Sequence, residues 1–261
     1  MGIEKALINY SFMKRNCKFL VLGIVISLTA GMQAFAGNNA ATAAVNERYA
    51  TAKQIAAYHS AGLEYVYNIL KGDGQILKNL YNADEKQRAE ILLKITAEYV
   101  SKSDVKATLE RLSKSFPTQD AGNFKNTNAP KSANYFDGVV DNIANENLRE
   151  DAFTKAMNSK EFTAFSEPEQ NDILLMFAIY ADSYQYWNGN LKKWIDLSIS
   201  AVGKPTDPQI NLISWGKLGK ADAKGAIAGF IAGAITGVGA GGSALFGGIG
   251  NSVLNLLDQI W

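Results

Sequence analysis

Cysteine and histidine occur once each in this 261-residue sequence, and each scarcity excludes chemistry. Cys17 falls inside an N-terminal leader, so the mature chain is expected to hold neither a disulfide nor a cysteine nucleophile. His59 alone cannot build a multi-histidine metal site. No Cys or Asp/Glu cluster stands at ligand spacing around it, and it reads as a packed or partly exposed structural histidine. A Gly-x-Ser-x-Gly elbow, a phosphate-binding loop and a dinucleotide fingerprint are all missing. Asp141, Glu146, Glu150 and Asp151 look like a solvated helix face, and nothing selects a catalytic pair from them. The expectation is a protein that is not an enzyme, with no metal and no cofactor. A helical hydrolase would need a polar cleft of convergent carboxylates. Sustained period-two alternation is absent too, as is any repeat of fixed period. What remains is an all-α chain.

The leader is "MKRNCKFLVLGIVISLTAGMQAFAG", starting at Met13. Lys14, Arg15 and Lys18 make a basic region, Phe19 to Leu28 an apolar one, and Ala34-Phe35-Ala36 a small-x-small cleavage site. This is the pattern of a secretory signal peptide over residues 1–36, with residues 1–12 as an extra leader or a mis-assigned start. Gly37 stands where a lipid-anchored protein would need cysteine. Cleavage after Ala36 removes four basic residues and one acidic residue, leaving 22 against 24, a net charge of −2. That balance gives no reason to expect nucleic acid as partner. An exported protein follows, in the periplasm, cell envelope or extracellular space.

Residues 37–44 are small and polar and read as a flexible N-terminus. From 45 to 203 the pattern is that of seven or eight helices. Tyr49, Ala52, Ile55, Ala56, His59, Leu63, Val66 and Leu70 recur at three- and four-residue steps. "GDG" at 72–74 ends that helix. Asn82 with Glu85 reads as a capping box opening the next. Residues 117–134 form the longest polar loop, read as a linker. Ser166-Glu167-Pro168-Glu169 is the strongest helix start, with a Ser cap, Pro in the first turn and Glu at the third position. Asn188-Gly189-Asn190 reads as a turn before a last helix carrying Trp194. Tyr180, Tyr184 and Trp187 share a face, suited to core packing or to a ligand platform. Residues 204–224, broken by Pro205 and Pro208, read as a linker.

The longest absence is of charge. Between Lys224 and Asp258 lie 33 residues without an ionisable side chain. Within them Gly225, Gly229, Gly233, Gly237 and Gly241 fall at every fourth position. At about 100° per residue these glycines step round one helix face by about 40° each. Ile227, Ile231, Ile235 and Val238 gather on the opposite, lipid-facing side. Five glycines would strip an exposed helix of stability in water, at about 1 kcal/mol each. In hydrocarbon the backbone has only itself to bond with, and a bare face lets a second helix approach closely. Gly239, Ala240 and Gly242 supply a hairpin turn, after which Leu245, Ile249, Val253 and Leu256 share a face. Each arm would measure about 22 Å, short of the roughly 30 Å hydrocarbon core, whereas a single helix over 225–246 would reach about 33 Å. Both arrangements stay open, with 258–261 as a short tail.

"GAIAGFIAGAITGVGAGG" resembles the glycine-zipper segments of bacterial envelope proteins and is similar to the GxxxG-rich stretches of class II bacteriocins. The resemblance covers about 40 C-terminal residues. It implies membrane insertion or self-association, with membrane permeabilisation on the bacteriocin side. The expected function is therefore an exported helical protein whose residues 225–257 associate with membrane lipid, as an oligomer. The alternative is a soluble, secreted helical binding protein with the glycine-rich hairpin packed internally.

Overall fold

Alanine is the best helix former, and four of the five residues at 40–44 are alanine. The first described helix accordingly starts within the stretch expected to be a flexible N-terminus, and α1 runs Ala40–Gly72. The computed structural model describes residues 40–118, 131–143, 150–202, 218–225 and 240–260. Residues 44–261 belong to one unit, and it is all-α, with no strand among the described residues. Ala34 and Ala36, the expected signal-cleavage residues, lie outside the described residues.

Asp73 ends α1 and opens α2 (Gly74–Asn82), its carboxylate accepting from the backbone N–H of Gln75 and Ile76. The capping box of α3 (Glu85–Val100) is Asp84 with Gln87, not Asn82 with Glu85. Asn82 is occupied elsewhere, its amide donating to the Lys78 carbonyl at the end of α2. α4 (Ser103–Lys114) follows directly. α5 (Lys131–Ile143) claims the last four residues of the expected 117–134 loop. The burial of Ser132, Tyr135 and Phe136 explains this early start. Two short helices, α6 (Glu150–Met157) and α7 (Lys160–Thr163), lead to α8 (Glu167–Val202).

α8 is the axis of the fold. Its start is as the sequence suggests, with Glu169 accepting from both the backbone N–H and the hydroxyl of Ser166. Every residue from 171 to 180 is buried, as a helix surrounded by others requires. The expected turn at Asn188-Gly189-Asn190 does not occur, and the helix passes straight through. One interior glycine costs about 1 kcal/mol. Trp187 and Trp194, both almost fully buried, outweigh it by pinning the two sides of that stretch into one core. Asn190 turns its amide to the Tyr186 carbonyl one turn back.

α1 lies beside α8 and runs parallel to it. Arg48 meets Gln170 and Asn171, Ser60 meets Asp182, Glu64 meets Tyr186, and the Tyr67 ring lies tilted against that of Trp194. The partners rise together along both helices. α5 and α2 also pack on α8.

The last described helix, α9 (Ala240–Ile260), packs against α3, α4 and α8. Ile249, Val253, Leu256 and Leu257 are fully buried. Each such side chain is worth about 1.5–3 kcal/mol of burial. Ahead of it, the expected linker 204–224 is helical over 218–224, and the helix continues to residue 225. Leu218, Asp222 and Ala223 are fully buried there, which draws the segment out of solvent and into the core.

Candidate functional site

An imidazole has two ring nitrogens on opposite edges, and at His59 each faces a carboxylate. Nδ1 lies 3.5 Å from Asp182 Oδ2, on α8. Nε2 lies 3.7 Å from Asp222 Oδ2, in the 218–225 helical segment. His59 and Asp222 are fully buried, and Asp182 keeps about a quarter of its side chain exposed, 23 %. Three elements distant in sequence thus meet on one ring. α9 supplies a fourth side, the backbone carbonyl of Gly248.

The polar side chains around this ring form one seam. Ser60 donates to Asp182 at 2.6 Å. Ser183 donates to Asp222 Oδ2. The Trp187 indole N–H lies 3.3 Å from the same oxygen and 3.0 Å from Ser252 Oγ on α9. Oδ1 of Asp222 and both nitrogens of His59 make no well-formed hydrogen bond among the described residues. The two His59 contacts are charge contacts at the edge of hydrogen-bond range.

Burial by itself would lower the His59 pKa. The contact with Asp182, the charges of Asp222 and Asp182 and the Gly248 carbonyl outweigh it, and the pKa is raised. Burial pushes the Asp222 carboxyl up, against the opposing pull of His59, Ser183, Ser252 and Trp187. Farther along the α1–α8 seam, Glu64 accepts from Tyr186 and Lys193, and Trp194 donates to Tyr186 at 3.0 Å. Burial raises the Tyr186 pKa, keeping it a neutral donor.

The glycine ladder enters this region at its first rung. A β-carbon on Gly225 would sit 2.5 Å from both the Gly247 carbonyl oxygen and Asn251 Nδ2. Contacts between residues 222 and 252, and between 225 and 247, run in opposite directions along the chain. The 218–225 segment and α9 are therefore antiparallel. Ala240, Gly241 and Gly242 lie in the first turn of α9. Gly229, Gly233, Gly237, Gly239, Ile227, Ile231, Ile235 and Val238 lie outside the described residues.

Of the expected aromatic platform, Tyr180 and Trp187 are buried core residues and Tyr184 is half-buried. Asp141 pairs with Lys220, and Asp151 lies 3.9 Å from Lys155, so these two carboxylates diverge from any common cleft. Glu146 lies outside the described residues, and Glu150 opens α6. Among the described residues no cluster of three His, Cys, Asp or Glu side chains is suited to a metal ion.

Sequence reasoning reached His59 but missed Asp182, Asp222, Ser183 and Ser252. One signal was available. Asp182 follows a long apolar run ending "IYADS", where a carboxylate needs a partner to be stable; Asp222, between Lys220 and Lys224, gives no such signal.

No protein-family model, curated protein or solved structure matches the chain. Its class rests on its own geometry: an all-α unit whose C-terminal helical pair is fastened through a buried polar seam.

Proposed function

We propose that this is an exported helical protein that associates with membranes through its uncharged glycine-rich run, using the helical unit to hold that run. The observation carrying this reading is that an uncharged stretch of 33 residues is gripped at both ends. Gly225 packs on α9, and Ile249, Val253, Leu256 and Leu257 are seated in the core. The stretch between Gly225 and the start of α9, 226–239, is free of charge and is where the reading places lipid contact. Among the described residues no helix is long and apolar enough to cross a membrane. At about 1.5 Å per residue, 226–239 would reach about 21 Å as a helix, less than the roughly 30 Å hydrocarbon core. The mode assigned is therefore shallow association or hairpin insertion, with self-association through the glycine face.

The test is flotation of the full mature chain with anionic and neutral vesicles. It is compared with the full chain carrying Ile231→Lys and Ile235→Lys. Charge at the middle of an inserted helix costs about 2.5–3.5 kcal/mol per residue, so the variant should stay with the soluble fraction. Dye release separates permeabilisation from passive attachment.

A second reading is favoured by the contact of Gly225 with Gly247. A soluble, secreted helical binding protein would use its glycines to let two of its own helices touch. It predicts a monomer without detergent that never floats.

A further inference from the structure

A neutral imidazole carries one N–H and one lone pair. It can serve a carboxylate at one edge only, and its other edge then faces a second carboxylate with electron density against electron density. The imidazolium carries an N–H at each edge. At His59 there is a carboxylate at each edge, Asp182 toward Nδ1 and Asp222 toward Nε2, so the geometry matches the charged ring. The two carboxylates belong to different elements. Asp182 lies on α8 and Asp222 in the segment leading into the glycine run, while His59 lies on α1.

We propose that His59 is a proton-operated lock on the C-terminal helical pair. With both nitrogens protonated it ties Asp222, and through it the 218–225 segment and α9, to the α1–α8 pair. When the proton leaves, the tie weakens and the pair opens more often. The lock concerns how firmly the pair is held. As the release control for the run, it rests on the membrane reading above.

The neighbours of the ring support this. Facing it are Asp182 from α8, Asp222 from the 218–225 segment and the Gly248 carbonyl from α9, while Ser183 and Trp187 from α8 and Ser252 from α9 bond to Asp222. Ser60, on its own helix, is bonded to Asp182. Among the described residues no cation other than His59 pairs with either carboxylate. Asp182, partly exposed, gives the proton a route to solvent.

The sign follows from the raised His59 pKa. A group that binds its proton more tightly when folded adds stability fully present below the ordinary imidazole value, about 6.5. That stability is lost as pH rises through the folded value. Burial of Asp222 acts in the same direction, because its ionised form is harder to keep inside as pH rises.

Two measurements on the full mature chain test the lock without any membrane. His59 is the only histidine, so one imidazole resonance reports its titration by NMR. The expected midpoint lies above 6.5. Hydrogen exchange over 218–225 and α9, corrected for the intrinsic rate, should then show opening that grows by up to about tenfold per pH unit above pH 6.5. It should level off past the midpoint. His59→Gln, if it folds, should flatten that dependence. A midpoint at or below 6.5, or opening independent of pH in the wild-type chain, overturns the proposal. Because the readout uses no lipid, the lock stands or falls apart from vesicle flotation.

Discussion

A β-carbon on Gly225 would lie 2.5 Å from the carbonyl oxygen of Gly247. No other pair of residues states so directly what the start of the glycine ladder touches. Its first rung meets the second arm of its own chain, and a backbone atom cannot swing away as a side chain can.

Gly225→Ala should therefore destabilise the protein by about 1–3 kcal/mol, the usual range for overpacking. Gly62→Ala is the comparison. There the new methyl would press on the Cδ1 end of Ile249 and come within 3.1 Å of the Tyr99 ring. Ile249 has a rotamer to yield, so the loss should be smaller. Urea denaturation of both variants checks the order.

Gly189→Ala should do the opposite. The position is exposed, nothing lies within 4 Å of an added β-carbon, and it sits in the interior of α8. Alanine there should stabilise by about 0.5–1 kcal/mol. A thermal melt that moves down would mean the helix breaks at Asn188–Asn190 after all.

That stretch shows where the sequence could and could not be read. Period and capping chemistry are local, and they gave the helices carrying Leu63, Tyr99 and Ile173, and the Ser166–Glu169 start. Asn-Gly-Asn is also a local signal, but the burial of Trp187 and Trp194 against distant partners decides it. The same holds at 218–224, where linker-like composition yields to the burial of Leu218 and Ala223. The site was least legible. His59 lies 123 residues from Asp182 and 163 from Asp222, so no spacing rule joins them.

Replacing Asp222 by Asn removes one of the two charges beside His59 while keeping an oxygen to accept from Ser183 and Trp187. The His59 midpoint should fall. The same imidazole resonance reads it, and an unchanged midpoint would place the charge contact with Asp222 out of play.

Removing everything after Lys224 should cost far more than any of these changes. It strips Ile249, Val253, Leu256 and Leu257 from the core, each worth about 1.5–3 kcal/mol. It also takes Ser252 from Trp187. Circular dichroism should show a shortened chain that melts early or not cooperatively. Truncation is thus a poor test of lipid binding, since loss of function would follow from loss of fold.

The direct test keeps the full chain and changes only the charge of the run. The unsubstituted protein should float with vesicles, and the double variant Ile231→Lys, Ile235→Lys, with an unchanged melt, should not. Equal behaviour of the two folded proteins, both floating or neither, would contradict membrane association through the glycine-rich run.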